Sequence, residues 1–405
     1  MRDTSGAAEK GGTLIIASPV RQTPEILRTF LESLVRLDVG AFDIEYLFID
    51  DNEVPESTAL LQEFVGRVAG RVTVRKATTP SERYIKDDKT HRWTEGLMWR
   101  VARFKDAIIE FALGGQSSHL LLVDSDLVLH PLTLRQLVAL GLPIVSEIFW
   151  TKWNPDGPEY PQVWAGGQYR LYRRAPGESL SDEDVARRTS DFLASLRRPG
   201  VYQVGGLGAL TLFSREALLR GVRFAPIPNL DLVGEDRHLC VRAAALGIPL
   251  YVDTHYPALH LYRQADLERV DEYTSTAQKE VKIIQMVENA VEALFTDGSE
   301  VEPGYRPSRC SVQPARILER IRRELRVDGP NGMSLSEVTV YNGLVQFVGH
   351  QRCTTYFHLR VTPRQGGPTY NFRGTAHFET DARKAWRLAE LQLEESEPIQ
   401  PVVLL

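Results

Sequence analysis

The sequence has no apolar run of the length needed to cross a membrane. Its most apolar stretches are interrupted by charges, as in residues 120–129, or by Pro143, well short of a span of about 20 residues. Residues 1–12 are small, polar and charged, without the apolar centre that a signal peptide requires. We therefore expect neither a transmembrane segment nor a secretory leader.

Cysteine is scarce. Cys240, Cys310 and Cys353 are the three cysteines in 405 residues. They are far apart and odd in number, so they form neither a disulfide framework nor a metal-binding spacing. We expect reduced thiols and a cytoplasmic location.

Positive charge is not in excess, and neither is charge as a whole. The 48 Lys and Arg residues against 53 Asp and Glu residues give a net charge of −5, so we expect no nucleic-acid partner. A hydrophobic fraction of 43% and a charged fraction of 25% are ordinary for a globular protein with a real core, and they argue against a disordered chain. The length corresponds to roughly two to three domains.

The loop after the first predicted strand, residues 18–22, contains no glycine. A dinucleotide dehydrogenase requires Gly-x-Gly-x-x-Gly at this point. A nucleotidyltransferase requires a glycine-rich phosphate loop with a basic residue. The glycine-rich run at 205–208 comes too late in the chain and lacks the closing glycine, so both enzyme classes are disfavoured.

Apolar runs of strand length alternate with helical periodicity over the first part of the chain. Apolar side chains recur at helical spacing between these runs. The alternation predicts an α/β layer with a parallel sheet. The strand-like runs occupy residues 13–17, 44–49, 72–75, 120–123 and 144–147.

The pattern changes in the C-terminal third. Residues 266–295 have the periodicity of one long amphipathic helix, and residues 317–325 that of a short basic helix. Hydrophobicity then alternates with period two, and Asn342-Gly343 predicts a hairpin turn. A further helix is expected after Asp381. These elements predict a small α+β region.

We accordingly divide the chain into three segments. The α/β domain is expected over residues 12–265, and a helical segment and linker over 266–330. A small α+β accessory domain is expected over 331–405. The accessory region is a candidate surface for homo-oligomer formation.

Two carboxylates, Asp124 and Asp126, directly follow the apolar strand at 120–123. Ligands bind at the carboxyl ends of strands in open α/β sheets. Alternate residues of an extended chain point the same way, so both carboxylates could hold one cation. Hard oxygen ligands suit Mg²⁺ or Mn²⁺, which also bind diphosphate oxygens. The alternative is two solvated aspartates that cap the next helix.

Further acidic groups and a histidine follow other predicted elements of the same layer. Asp50-Asp51 ends the second strand, Glu235-Asp236 precedes a helix, and His260 follows the last strand of the region. Three acidic clusters and a late histidine at one sheet edge are difficult to explain as solvent-exposed residues without a shared role.

At these positions the sequence resembles the nucleotide-diphospho-sugar glycosyltransferases of the GT-A fold, in particular glycosyltransferase family 2 and the Anp1-like mannosyltransferases. The resemblance covers about residues 12 to 265 and implies a Rossmann-like mixed sheet flanked by helices. The stretches that carry it are 16–21, 47–52, 121–126, 234–236 and His260.

The resemblance implies a role for each matching residue on the donor side. Pro19 and Arg21 would border the nucleotide base, and Asp50 would hold the base or ribose, with Asp51 and Ser125 as further donor-binding residues. Lys105 stands near the position where the family often has an Arg-Asn pair facing the donor.

The resemblance also implies metal ligands. Asp124 would approach the ribose or the metal, and Asp126 would bind the metal directly. His260 would be the third protein ligand, with His255 as its rival.

Asp236 is the candidate general base. An attacking hydroxyl group must lose its proton, and a carboxylate aimed at it performs this step by general base catalysis. The alternative is a first-turn carboxylate that the helix dipole favours. Glu235 would bind acceptor hydroxyls instead. Trp150, Trp153 and Trp164 lie in a long loop, where they would stack on sugars or pack in the core.

The resemblance, together with the acidic residues at the sheet edge, implies a metal-dependent glycosyltransferase with Mn²⁺ or Mg²⁺ as cofactor. It would move a sugar from a nucleotide-diphosphate donor, with UDP-sugars favoured, to a carbohydrate or other hydroxyl acceptor. With Asp236 as base, the reaction would invert the anomeric centre. The alternatives are a retaining Anp1-like mannosyltransferase that uses GDP-mannose, and a non-catalytic sugar-binding relative.

Overall fold

The computed structural model describes residues 12–78, 85–86, 91–92, 94–167, 169–295, 307–313, 316, 337–362 and 369–403. The chain divides into two compact units, Met1–Thr274 with Pro401–Leu405, and Ser275–Gln400. No helix within these described ranges is long and apolar enough to cross a membrane. The linker and short helix expected within 296–330 lie mostly outside the described residues.

The first unit is built on one large mixed sheet with small satellite strands. The strands of the large sheet are β1 Thr13–Val20, β2 Asp43–Asp50, β3 Arg71–Lys76, β6 His119–Leu122, β7 Leu127–Val128, β8 Ile144–Thr151, β9 Tyr160–Pro161, β11 Val201–Val204, β13 Thr211–Ser214, β14 Leu250–His260 and β20 Val402–Val403. Their order is β20-β11-β14-β8-β13-β6-β1-β2-β3, with β7 on β14 and β9 on β8. Two separate pairs are formed by β4 Ile85–Lys86 with β5 His91–Arg92, and by β10 Val163–Trp164 with β12 Gly206–Leu207.

Half of this sheet is parallel, as the strand–helix alternation predicts. β6, β1, β2 and β3 run parallel to one another. β13 is antiparallel to both β6 and β8, and β14 is parallel to β8. The predicted α/β class is confirmed, with a mixed sheet.

Helices cover both faces of the sheet, which explains why its strands are apolar without alternation. Ile15 and Ala17 of β1 pack into one core cluster, and Leu14 and Ile16 pack into another. The helices are α1 Pro24–Val35, α2 Pro55–Val65, α3 Glu95–Gly114, α4 Thr133–Ala139, α5 Asp182–Leu196, α6 Arg215–Leu219 and α7 Glu235–Ala245, then a 3₁₀ turn Gln264–Arg269 and α8 Val270–Phe295, which continues into the second unit.

The second unit contains the remainder of α8 and a separate five-stranded sheet. The sheet order is β15-β19-β18-β17-β16, antiparallel except for the parallel pair β15 and β19. The strands are β15 Arg309–Gln313, β16 Glu337–Val348, β17 Arg352–Thr362, β18 Tyr370–Thr380 and β19 Trp386–Glu395.

The hairpin predicted at Asn342-Gly343 is wrong. Both flanking segments pair with the same neighbour, β17, so they form one strand with a register shift between Tyr341 and Leu344. Asn342 takes the left-handed conformation, with φ of +52°. The pair Asn-Gly therefore forms a β-bulge here, where a left-handed residue is also favoured.

The helix expected after Asp381 is wrong as well. Asp381 accepts hydrogen bonds from the backbone of Arg383 and Ala385, which forms a tight turn. The following residues form β19, paired with β18. Ala, Leu and Glu favour a helix intrinsically, but pairing with β18 and burial of Leu391 on the sheet override that local preference.

Candidate functional site

A pocket of about 360 Å³ opens at the carboxyl edge of the large sheet. Its walls come from the ends of β1, β2, β6 and β14, from α3, from the loop after β8 and from the start of α7. This is the edge where open α/β sheets bind ligands. The lining residues include Pro19, Arg21, Asp51, Arg100, Phe104, Asp124, Ser125, Asp126, Trp153, Gln162, Tyr169, Gly234, Glu235, Asp236, His260 and Tyr262.

The short strand β7 brings Asp126 and His260 together. β7 pairs with the end of β14, which sets His260 opposite Leu127. The backbone N–H of Leu261 donates to the Asp126 carbonyl at 2.8 Å. As a result His260 Nε2 lies 3.5 Å from Asp126 Oδ2. Residues more than 130 positions apart in the chain thus form one polar pair.

The second ring nitrogen of His260 is fixed from β8. Nδ1 lies 2.8 Å from the Thr151 hydroxyl, and the Gln162 amide donates to that hydroxyl at 3.2 Å. The ring is flanked by Phe149 and Tyr262, with centroids at 5.1 and 5.5 Å. A partner on Nδ1 sets the orientation and tautomer of a histidine whose other nitrogen is free to bind a ligand.

The donor set at this edge fits a hard or borderline divalent cation. Asp126 offers a carboxylate, His260 an imidazole nitrogen, and Asp124 a further carboxylate in the same pocket. Within the described residues, no group of three or more His, Cys, Asp or Glu side chains is arranged as a complete metal site. Mg²⁺ and Mn²⁺ commonly use one or two protein ligands and complete their shell with water and substrate phosphates.

His255, the rival ligand, lies elsewhere. Its Nδ1 is 2.7 Å from Asp253 Oδ1, and its backbone N–H donates to the same carboxylate. His255 is not among the residues that line the pocket. His260 does line the pocket.

Glu235 and Asp236 are the first two residues of helix α7 and follow Gly234. Any other residue at position 234 would be strained. Gly234 has φ of +112°, and a Cβ on it would lie 2.5 Å from the Tyr169 hydroxyl oxygen. Lys105 of α3, only 2% exposed, donates to Glu235 Oε1 at 3.0 Å and to Asp236 Oδ1 at 3.1 Å.

Burial, together with neighbouring charges, shifts the pKa values of the carboxyl groups in this cluster. Burial, followed by the negative charges of Glu235 and Asp124, raises the pKa of Asp236 to about 7, with Lys105 opposing the shift. Burial also raises the pKa of Asp124, and the charge of Lys105 opposes that shift.

The protonated state of Lys105 is itself stabilised. Burial alone would lower the pKa of this ammonium, but Asp236, Glu235 and Asp124 raise it well above its ordinary value. These carboxylates therefore favour the charged ammonium form of Lys105.

The donor-side aspartates occupy different environments. Asp50 is buried and accepts hydrogen bonds from Asn52, Thr58 and Lys76, and it does not line the pocket. Burial would raise its pKa, but these hydrogen bonds lower the pKa below its ordinary value. Asp51 does line the pocket and receives a two-pronged contact from Arg100, at 3.0 and 2.6 Å.

The remaining predicted residues divide between the pocket and the interior. Pro19, Arg21 and Ser125 line the pocket, and Arg21 pairs with Glu53. Lys105 lies beneath the pocket, paired with the acidic residues of α7, and is not among the pocket-lining residues.

The three tryptophans also separate. Trp153 lines the pocket and is 48% exposed. Trp164 is buried, and Trp150 lies beneath the guanidinium group of Arg197.

Several residues of the pocket and its surroundings were not among the predicted site residues. Gln162, Tyr169 and Tyr262 line the pocket, and Arg100 orients Asp51. The aromatic residues and prolines of the loop after β8 are typical of a functional loop, but they do not single out Gln162. Tyr262 could have been found from its position two residues after His260.

Comparisons with known proteins find distant relatives, and no protein-family model matches the chain. The chain is 23% identical over 328 residues to the human protein named "Inactive glycosyltransferase 25 family member 3", an alignment that covers 78% of this chain and 50% of that protein. The bovine "Probable inactive glycosyltransferase 25 family member 3" is 25% identical over 214 residues, which cover 50% of this chain and 35% of the relative. The chain thus spans about half the length, or less, of these curated relatives.

Two solved structures illustrate the structural matches. The Staphylococcus aureus TarS 1-349 structure is 12% identical, with 65% of each chain covered and a TM-score of 0.36. The mannosyltransferase PcManGT from Pyrobaculum calidifontis, in complex with GDP-Man and Mn²⁺, is 13% identical, with 60% of this chain and 55% of that chain covered and a TM-score of 0.35.

Proposed function

We propose that this protein is a glycosyltransferase that moves a sugar from a nucleotide-diphosphate donor to an acceptor hydroxyl group. The observation that carries the proposal is one pocket lined both by Asp126 with His260 and by Glu235 with Asp236. The two pairs match the two needs of the reaction, a stabilised anionic leaving group and a deprotonated acceptor. The names of the curated relatives support the same class.

The nucleotide is assigned to the side of the pocket formed by β1 and β2. Pro19, Arg21 and Asp51 line this side. Arg100 holds Asp51 with two hydrogen bonds, so the carboxylate keeps a fixed position from which to accept hydrogen bonds from a ribose or base. Asp50 would act indirectly, because its carboxylate accepts a hydrogen bond from the Asn52 backbone and so fixes the loop that carries Asp51. We favour UDP-sugars as donors.

The cofactor proposed is Mn²⁺ or Mg²⁺, held by Asp126 and His260 with Asp124 beside them. When bound, the cation neutralises the charge that develops on the diphosphate. The protein's own contribution is orientation, since Thr151 fixes one nitrogen of His260 and leaves the other facing Asp126.

Asp236 is proposed as the general base of an inverting transfer. Its pKa of about 7 lets it accept a proton from the acceptor hydroxyl near neutral pH. Glu235, beside it in the pocket, is assigned to acceptor hydroxyl groups. Trp153, exposed at the rim of the pocket, offers an apolar ring face to an acceptor sugar.

Two alternatives remain to be separated by experiment. In a retaining transfer from GDP-mannose, Asp236 would not act as a base. A non-catalytic sugar-binding protein is the second alternative, and the word "inactive" in the names of both curated relatives favours testing it directly. The convergence of Asp126, His260 and Asp236 on one pocket favours an active enzyme.

The C-terminal accessory region is proposed to supply an acceptor-binding or self-association surface and no catalytic group. All the side chains assigned above to the chemistry lie in the first unit.

The deciding experiment is a thermal-shift panel of UDP-, GDP- and dTDP-sugars, each with and without Mn²⁺, followed by an assay for free nucleoside diphosphate. We expect stabilisation by one nucleotide class only when Mn²⁺ is present, and slow donor hydrolysis without an acceptor. Binding without hydrolysis or transfer would identify the non-catalytic alternative. No stabilisation by any donor would contradict the proposal. Proton couplings at the anomeric carbon of the product separate inversion from retention.

A further inference from the structure

A fully buried lysine lies beneath the acidic pair of α7. Lys105 is 2% exposed, its ammonium donates to both Glu235 and Asp236, and it lies 5.0 Å from the ring centroid of Phe224. Burying an ammonium group is costly unless it is fully paired. Lysine is rarely found fully buried, so a lysine at this place needs a reason beyond packing.

We infer that Lys105 is a positioning residue for the proposed base: its ammonium ties Glu235 and Asp236 into one unit and holds Asp236 by Oδ1, with Oδ2 left for the acceptor. This inference rests on the proposed function, because it assigns Lys105 a task through Asp236. It differs from the sequence-based expectation that Lys105 faces the donor.

The hydrogen-bond geometry supports a division of labour between the two oxygens of Asp236. Oδ1 is the atom that Lys105 contacts. Oδ2 lies toward Gly208, 3.4 Å from the point where a Cβ on that glycine would stand. Among the described residues, no donor other than Lys105 is seen to reach the Asp236 carboxylate. A side chain at position 208 would crowd this oxygen, and glycine leaves it room.

The charges around Asp236 give Lys105 a second task. Two carboxylates, Glu235 on the same helix and Asp124 after β6, act on Asp236 with their negative charge. Two neutral titratable groups, Tyr169 and Cys240, also interact electrostatically with Asp236. Lys105 is the cation that faces this group. The positive charge of Lys105 lowers the pKa of Asp236, which is about 7 and would be higher without the lysine.

The test measures the titration of Asp236 directly, so it does not depend on knowing the substrate. Protein labelled with ¹³C at the aspartate carboxyl carbons is titrated by NMR, and the Asp236 signal is assigned by its absence in Asp236→Asn. In Lys105→Met we expect the pKa of Asp236 to rise by about 1 to 3 units, the usual effect of losing a paired opposite charge. Arg103→Met is the matched control, because Arg103 is an exposed cation on the same helix.

A second variant keeps the inference testable if Lys105→Met does not fold. Lys105→Gln also removes the positive charge but keeps a polar side chain that can donate to a carboxylate, so the pKa of Asp236 should rise in this variant too. Glu235→Gln is the counterpart, because it removes a negative neighbour and the pKa of Asp236 should fall. A role of Lys105 limited to packing would leave the pKa of Asp236 unchanged in both Lys105 variants, and that outcome would refute the inference.

The same variants separate this inference from the proposed function. The probe is release of UDP from UDP-glucose with Mn²⁺, measured between pH 5 and 9. If the inference holds, the acid limb of the Lys105→Met profile moves to higher pH by the shift seen in the NMR titration. If Asp236→Asn retains full turnover, the proposed base is wrong. If Asp236→Asn is inactive and the Lys105→Met limb does not move, the positioning role alone is wrong.

Discussion

The rate of donor turnover should depend steeply on pH below neutrality, because the proposed base must be ionised. The pKa of Asp236 is raised to about 7. A single group with this pKa is about 90% ionised at pH 8, about 9% at pH 6 and about 1% at pH 5. We therefore expect kcat/KM, which reports the free enzyme, to fall roughly tenfold per pH unit below pH 7.

The same shift has the opposite effect on stability, which makes the prediction sharper. A carboxyl group whose pKa is higher in the folded state contributes stability below its unfolded pKa and loses it as the pH rises through the folded value. The contribution of Asp236 to stability should therefore decrease between pH 4 and pH 7, where turnover increases, and the difference in unfolding temperature between wild type and Asp236→Asn measures it.

Asp236→Asn provides the control for both pH effects. It should remove its share of the stability slope and abolish the acid limb. A wild-type profile flat from pH 5 to 8, with Asp236→Asn still inactive, would show that the pKa of Asp236 is not raised and would refute this reasoning.

Three other changes test separate parts of the site. Asp126→Ala should weaken Mn²⁺-dependent UDP binding at least tenfold in calorimetry, because it removes one of few anionic ligands. Asp191→Ala, which removes an exposed carboxylate on α5, is the control and should leave the affinity unchanged. Equal affinities in both variants would exclude the metal assignment. At its pH optimum, Asp236→Asn should lower kcat by about 10²- to 10⁴-fold while UDP affinity is kept, and turnover near the wild-type rate would make Asp236 structural. Gly234→Ala should destabilise the protein by about 1–3 kcal/mol, because alanine is strained at φ of +112° and its methyl group would clash with the Tyr169 hydroxyl. An unchanged midpoint of urea unfolding would show that the loop relaxes freely.

Local sequence patterns were reliable where one physical effect dominated. β1, β2 and β6 are apolar without alternation because both of their faces are covered, and this property is visible in the sequence. The ends of such strands meet at one edge of a parallel sheet, so the carboxylates that follow them could be expected to converge. Asp51, Asp124 and Asp126 do line one pocket.

Local patterns failed where two conformations were close in energy and a neighbouring strand decided between them. Asn342 favours a left-handed backbone in a hairpin turn and in a β-bulge alike, and β17, which pairs on both sides of it, selected the bulge. The segment after Asp381 has good helix formers, and pairing with β18 made it a strand.

The sequence by itself determined the α/β class, the acidic residues at the strand ends and the candidate base at the start of α7. Only the tertiary structure decided which groups meet. It placed His260 beside Asp126 through the pairing of β7 with β14, and it turned Asp50 inward toward Lys76. It also buried Lys105 against Asp236, 131 residues later in the chain. The sequence shows which residues carry a charge. The partner and the pKa of each charged group depend on distances in space, which the order of residues along the chain does not give.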